Sequence, residues 1–280
     1  MYSISLEIYK EIQGIGSASG IISKKDLLYI IGDNSGYLNE YSIKFRKLNK
    51  IQILAGNKSQ NLENIPKPEK PDFEVLCQYA DRFYILGSGS TAKRNMLVEF
   101  DIRTAKFLTK DLTATYKKLK GISEINDENF NIEGAVFNGQ SWLLFNRGNG
   151  NDSKNGIFRI FDKELANAEN ITFTTLKLPN INHIESSFTD AVLLNDDIFF
   201  VSTAEDTEST YADGEILGSF IGSVNSKTLN LNFTYRIPGL HKFEGITLFK
   251  KADKTLEFLL CEDRDTDELK TIVYKLTLSV

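Results

Sequence analysis

The sequence is poor in the residues that build covalent or thiolate frameworks: among 280 residues there are two cysteines, two histidines, two methionines and one tryptophan. Cys77 and Cys261 each sit in an apolar run, Val-Leu-Cys and Leu-Leu-Cys, where a free thiol behaves as a small hydrophobe rather than half of a disulfide framework. Two histidines and two cysteines also leave no Cys/His zinc spacing. No stretch reaches the roughly 18 consecutive apolar residues of a membrane span, so no membrane partner is expected. There is no run of lysine and arginine long enough to follow a phosphate backbone, and the net charge is −5, which argues against nucleic acid. A nucleophile elbow, a phosphate-binding Walker loop and a dinucleotide-binding glycine run are all missing. The N-terminus, Met-Tyr-Ser-Ile-Ser-Leu-Glu-Ile, alternates like a strand and lacks the basic start and apolar core of a secretory signal. A cytoplasmic location is expected on that ground, or a periplasmic or secreted one if a leader has been removed. No helix-period segment stands out, and the proline-rich piece Pro66–Pro71 reads as an extended connection.

What the sequence does have is a repeat. Five segments, Ser19-Gly-Ile-Ile, Glu74-Val-Leu-Cys, Glu133-Gly-Ala-Val, Thr189-Asp-Ala-Val and Glu244-Gly-Ile-Thr, each open a short apolar strand with an oxygen-bearing side chain. Their spacings are 55, 59, 56 and 55 residues, and the way from Glu244 through both termini to Ser19 is again 55. In each unit a second strand follows, ending at Asp33, Ser88, Arg147, Thr203 and Glu262, which is 14 residues after the opening in four units and 18 in the fifth. Third strands begin at Tyr37, Met96, Ile157, Phe220 and Ile272. Fourth strands read as Ile51-Gln-Ile-Leu, Phe107–Leu112, Ile171–Leu176 and Leu231–Tyr235. The fifth unit runs out of chain, and the N-terminal segment from Tyr2 has the alternation to complete it. A closed period of this length implies an all-β, single-domain, five-bladed β-propeller over residues 1–280, with four-stranded blades and the N-terminal strand closing the last one. A monomer is expected.

The chemistry follows from the register. Inner strands of a propeller line its axis, so Ser19, Glu74, Glu133, Thr189 and Glu244 are expected in one ring. Three carboxylates facing one another repel unless one is protonated or a cation lies between them. The donors are all hard oxygens, which favours Ca²⁺, with Mg²⁺ less suited to an irregular cage. At the rim, Arg147 and Asp33 are the candidate catalytic pair, the first for an anionic oxygen and the second for water. His241, three residues before Glu244, is a further acid–base candidate, and His183 lies in a comparable connection. The acidic groups Glu205, Asp206, Glu208, Asp213, Glu215 and Glu262, Asp263, Asp265, Asp267, Glu268 read as solvated loops, with a metal site as the alternative.

With these openings identified, the chain resembles the five-bladed calcium-activated nucleotidases, the propeller-type apyrases. Ser19 through Asp33-Asn-Ser-Gly36 is similar to that family's first-blade run, Glu133-Gly-Ala-Val with Trp142–Arg147 to its third, Phe188-Thr-Asp190 to its Phe-Ser-Asp, and Lys242-Phe-Glu-Gly-Ile246 to its closing Tyr-Glu-Gly-Ile. The resemblance implies a calcium held by Ser19, Glu74, Glu133, Thr189 and Glu244. At the rim the chain departs from the family, with Asn34 and Ser35 where a second Asp and an Arg belong, Lys93 or Arg94 only loosely matching a lysine, and Thr203 replacing another. That puts nucleotide cleavage in doubt, because a triphosphate needs positive charge. The Glu-Gly openings also resemble phytase-like esterase propellers. Two classes therefore stay open: a calcium-centred hydrolase of a small phosphate- or carboxylate-bearing substrate, and a non-catalytic propeller that binds a ligand or protein around a structural calcium.

Overall fold

The computed structural model describes residues 3–54, 62–149, 154–207, 214–264 and 266–279, and shows a five-bladed β-propeller. The N-terminal strand β1 (Ser3–Gln13) stands apart from the first blade, which is built from β2 (Ala18–Lys24), β3 (Leu27–Gly32), β4 (Tyr37–Ser42) and β5 (Lys47–Gln52). Blade two comprises β6 (Phe73–Tyr79), β7 (Arg82–Gly87), β8 (Met96–Asp101) and β9 (Lys106–Asp111), and is followed by a helix, α1 (Thr113–Ser123). Blade three is β10 (Ile132–Phe137), β11 (Trp142–Asn146), β12 (Gly156–Ile160) and β13 (Ile171–Thr175). A small hairpin, β14 (Asn180–Ile181) and β15 (Ile184–Glu185), leads to blade four: β16 (Ser187–Leu194), β17 (Asp197–Asp206), β18 (Glu215–Asn225) and β19 (Leu231–Arg236). Blade five is β20 (Phe243–Ala252), β21 (Thr255–Glu262) and β22 (Lys270–Ser279), with β1 paired antiparallel to β22 from Ser3↔Ser279 to Gln13↔Lys270. The closure removes an unpaired edge at the place where both ends of the chain meet.

Three expectations shift, the first being that the Pro66–Pro71 connection is not extended but turns at residues 67–69, with the Glu69 and Lys70 amides on the Pro66 carbonyl. The fourth strand of blade one is Lys47–Gln52 rather than the run from Ile51, because the turn after Ser42, with Arg46 at φ 54°, sets the register Ser42↔Lys47. The connection between blades two and three, expected to hold no helix, contains α1. Its Thr115, Tyr116, Leu119 and Ser123 are buried on one face, and the Tyr116 hydroxyl donates to the Gly87 carbonyl at 2.7 Å. Glu124 ends the helix in the left-handed conformation, φ 55°.

Hydrophobic burial is distributed between blades rather than at one centre. Five buried clusters occupy the five seams, for example Ile22, Phe73, Phe83 and Val98 between blades one and two, and Ile12, Ile30, Leu259 and Cys261 between blades five and one. Both cysteines are free and buried. Each large aliphatic or aromatic side chain so buried contributes about 1.5–3 kcal/mol, so the seams dominate cohesion.

The axis is narrow at the level of the inner strands. A Cβ on Gly245 would stand 3.0 Å from the Gly20 Cα, and one on Gly20 would stand 2.9 Å from the Leu76 Cβ. These close approaches separate two pockets that share no lining residue. One, about 400 Å³, is lined by Ile22, Leu76, Ala135, Ala191 and Ile246 among others; the other, about 70 Å³, is polar and lined by Ser19, Glu74 and Glu244 of the ring among others.

Candidate functional site

The five ring residues occupy the same structural position. Each falls at a break in the pairing of its inner strand, between Ala18 and Gly20, Phe73 and Val75, Ile132 and Gly134, Phe188 and Asp190, and Phe243 and Gly245. Such a bulge adds one residue opposite a normal strand and re-aims its side chain. The preceding residues Ala18, Phe73, Ile132, Phe188 and Phe243 are all 0% exposed, which pins every bulge from behind.

The ring is uneven. Carboxylate oxygens of Glu74, Glu133 and Glu244 lie within 4.8 Å of one another. The hydroxyls of Ser19 and Thr189 instead donate to the next inner strand, Ser19 Oγ to the Phe73 carbonyl at 2.5 Å and Thr189 Oγ1 to the Phe243 carbonyl at 2.6 Å. Ser19, Glu74 and Glu244 line the 70 Å³ pocket, whereas Glu133 and Thr189 lie behind its wall. Glu133 accepts from Asn131 Nδ2 at 2.6 Å and from Arg147 Nη1 at 3.1 Å. Both carboxylate oxygens of Glu244 are buried without a hydrogen-bond partner; the nearest cations are Arg147 Nη1 at 3.5 Å and Lys242 Nζ at 3.6 Å. Burial first, then the neighbouring Glu133, holds the carboxyls of Glu74 and Glu244 well above the ordinary carboxylate range.

Of the expected catalytic residues, Asp33 and Arg147 reach this pocket and His241 does not. Asp33 follows the end of β3 and pairs with Lys70 through Oδ2, while its Oδ1 is buried without a partner. Burial, opposed mainly by Lys70, leaves the Asp33 carboxyl above its usual range. Arg147 is engaged by the chain's own carboxylates: its guanidinium closes on Glu133 and Glu205, and together with Glu244 they outweigh burial and hold it firmly charged. Asp33 and Arg147, the two candidates for water and anion, are thus held in separate ion-paired groups, Asp33 with Lys70 and Arg147 with Glu133, Glu205 and Glu244. His241 lies outside the pocket, its Nδ1 2.8 Å from Glu262 Oε1 and its ring against Phe243 and Tyr274. His183, at φ 71°, sits in the turn between β14 and β15 and is also absent from the lining.

The structure brings further residues to the pocket, of which Lys70, Asp72 and Asn131 were not singled out in the sequence. Lys70 contacts Asp33 and stands 2.7 Å from Asp72 Oδ1; Arg94 Nη1 reaches Asp72 Oδ2 at 2.9 Å; Ser88 Oγ donates to the same oxygen at 2.5 Å. Lys67, Asn131, Lys242 and Asp263 complete the wall. Two acids assigned to solvated loops are therefore interior: Glu205 is 5% exposed on Arg147, and Asp263 faces the pocket. Glu208, Asp213 and Asp265 lie outside the described residues. The signal for Asp72, Asn131 and Lys242 was present, since the residue two before every opening is polar: Ser17, Asp72, Asn131, Ser187 and Lys242. Asp190, next to Thr189, is a further buried carboxylate, accepting from the Ala191 and Ile246 amides at 2.7 and 2.8 Å.

The model of a family of unknown function, DUF6929, matches residues 14–278. A search of curated proteins returned no match. Among solved structures, the Myxococcus xanthus glutaminyl cyclase is similar with TM-score 0.54 and 9% identity, covering 98% of this chain and 97% of that one. A DUF4221 member from Bacteroides vulgatus gives TM-score 0.45 at 10% identity, over 98% of each chain. The Myceliophthora thermophila Cps50 (Swd1) propeller domain gives 0.40 at 10% identity, over 92% and 69%. At these identities the likeness to the cyclase concerns the fold alone.

Proposed function

The chain belongs to the DUF6929 family, and we propose that its axial pocket binds one divalent cation, Ca²⁺ ahead of Mg²⁺, in a hydrolase of a small phosphate- or carboxylate-bearing substrate. The observation that carries the reading is Glu244: a carboxylate buried at the convergence of three, with neither oxygen hydrogen-bonded. Converging buried carboxylates cost several kcal/mol unless they are neutralised by protons or cations, and Arg147 and Lys242, at 3.5 and 3.6 Å, hydrogen-bond neither oxygen of Glu244. The donors fit a hard ion. Glu74, Glu133 and Glu244 would hold it, and the Ser19 and Thr189 hydroxyls keep acceptor lone pairs after donating to carbonyls. The resemblance of the ring to the calcium-activated nucleotidases supports the same choice.

Bound there, a divalent cation would supply charge neutralisation and polarise a substrate oxygen. The chain's own groups supply the rest. Asp33, which lines the pocket with its buried Oδ1 unpartnered and its affinity for protons raised by burial, is the group assigned to take a proton from water. Lys67 and Lys242 line the same wall, with Lys242 Nζ 3.6 Å from Glu244 Oε1 and 3.8 Å from Asp263 Oδ2. Arg147 holds Glu133 in place rather than contacting substrate.

A second reading, a non-catalytic binding propeller pinned by its cation, is favoured by the closure of Lys70, Arg94 and Arg147 on carboxylates. Calorimetric titration and thermal unfolding with Ca²⁺ test the cation. The expected outcome is about one ion per chain, with binding lost in Glu244→Gln; absence of both heat and stabilisation in the native chain would overturn the site. A screen of nucleotides, phosphomonoesters and esters then separates the readings. Turnover that Asp33→Asn abolishes while ion binding persists supports the hydrolase, and an ion-loaded chain inert to all three substrate classes supports the binding module.

A further inference from the structure

We propose that the Asp33–Asp72–Glu74 cluster is a second cation position of the axial pocket, permanently filled by the Lys70 ammonium, so that Lys70 limits the number of divalent ions the pocket accepts. The inference rests on the proposed function for the other position only. Among the described residues two carboxylate trios are present, Asp33–Asp72–Glu74 and Glu74–Glu133–Glu244, each with oxygens within 4.8 Å of one another, and they share Glu74. They differ in what neutralises them. In the first, Lys70 Nζ bonds Asp33 Oδ2 and lies 2.7 Å from Asp72 Oδ1. In the second, Arg147 bonds Glu133 from the side at 3.1 Å, Arg147 and Lys242 stand 3.5 and 3.6 Å from Glu244, and neither oxygen of Glu244 has a hydrogen-bond partner.

Lys70 is delivered there by the backbone. The proline-rich connection turns on itself, with the Glu69 and Lys70 amides donating to the Pro66 carbonyl at 2.7 and 3.0 Å. Blade two holds the turn from outside through Arg94 Nη2 to the Lys67 carbonyl at 3.0 Å and Lys93 Nζ to the Pro68 carbonyl at 3.2 Å. Asp72, at φ 53°, then brings its carboxylate back towards Lys70 before β6 begins. The Lys70 side chain is only 12% exposed, unlike a solvated surface lysine. A tethered ammonium loses no translational freedom when it docks, so it outcompetes a free ion for this trio. Being a compact point charge, it resembles a metal ion more closely than a planar guanidinium would.

Removing the ammonium leaves Asp33 and Asp72 buried with one cation fewer, and a divalent ion can restore the balance. The test is the ion content of the full chain after equilibration with Ca²⁺ and removal of free ion, read by atomic emission, for the native protein, Lys70→Met and Lys70→Arg. Lys70→Met is expected to hold one more ion per chain than the native protein, and Lys70→Arg the same number. The rise in melting temperature of Lys70→Met between chelator and Ca²⁺ is expected to exceed the native rise. Equal ion content in Lys70→Met and the native chain would overturn the proposal. A native count of zero with one in the variant sinks the axial Ca²⁺ reading and sustains this one; one ion in both does the reverse. If Lys70→Met unfolds in chelator, refolding on addition of Ca²⁺ supports the proposal. Failure of both Lys70→Met and Lys70→Gln to fold in saturating Ca²⁺ counts against it.

Discussion

Arg147 is buried, charged and closed on Glu133 and Glu205, while Glu205 also accepts the Gly214 amide at 2.8 Å. Replacing it by methionine keeps much of the volume and leaves two buried carboxylates without their cation, which costs about 3–5 kcal/mol when one member of a buried pair is removed. Urea unfolding of Arg147→Met should show that loss in its midpoint with little change in slope; a loss below about 1 kcal/mol would mean the pairs are solvated in solution. The type of this residue was legible in the sequence and its availability was not. An arginine at a strand end reads as a hand for an anion, but only the fold reveals that β17 extends to Asp206 and sets Glu205 against it. The ring itself was legible because five oxygen-bearing residues recur at one register. Lys70 was not, because nothing in Pro66–Pro71 says that the connection turns inward.

At the level of elements, the repeat encodes four strands per blade, and the bulge at each opening explains why the motif repeats as it does. An apolar residue with 0% exposure precedes each opening, and the opening residue itself is the one skipped by the pairing. The helix α1 escaped notice because its buried face, Thr115, Tyr116, Leu119 and Ser123, carries only two large apolar residues amid lysines. Strand β1 is the element on which closure depends. It covers the edge of β22, and its Ile12 is 1% exposed in the seam between blades five and one. Deleting residues 3–13 leaves a three-stranded blade with an open edge, so the deleted chain should melt well below the full one and associate as concentration rises. Light scattering and thermal unfolding check this, and a monomeric chain with unchanged melting would refute the closure.

Across the whole molecule, charge is segregated by depth. Surface acids such as Asp101, Asp111 and Asp162 are held below the usual range chiefly by hydrogen bonds, so their contribution to stability is present near neutrality and lost on acidification. The axial carboxyls Glu74, Glu244 and Asp33, and Asp190 beside them, are shifted upward, first of all by burial. A carboxyl raised in the folded state binds its proton more tightly there than in the unfolded chain. Its contribution is therefore complete below about pH 4, the ordinary carboxylate value, and is lost as pH rises through the raised folded values. A cation reverses the sign for the axial groups, because its ligands must be deprotonated and its affinity grows with pH. Melting curves from pH 4 to 8 in chelator and in Ca²⁺ should coincide at the acid end and separate progressively towards neutrality. The surface acids are common to both series and cancel in the difference, which reports the axis alone. At an ion concentration a hundred times the dissociation constant, the separation amounts to about 2.7 kcal/mol. Glu244→Gln removes one of the carboxylates that both shifts depend on, so its two curves should stay together throughout the range; a separation equal to the native one would place the ion elsewhere.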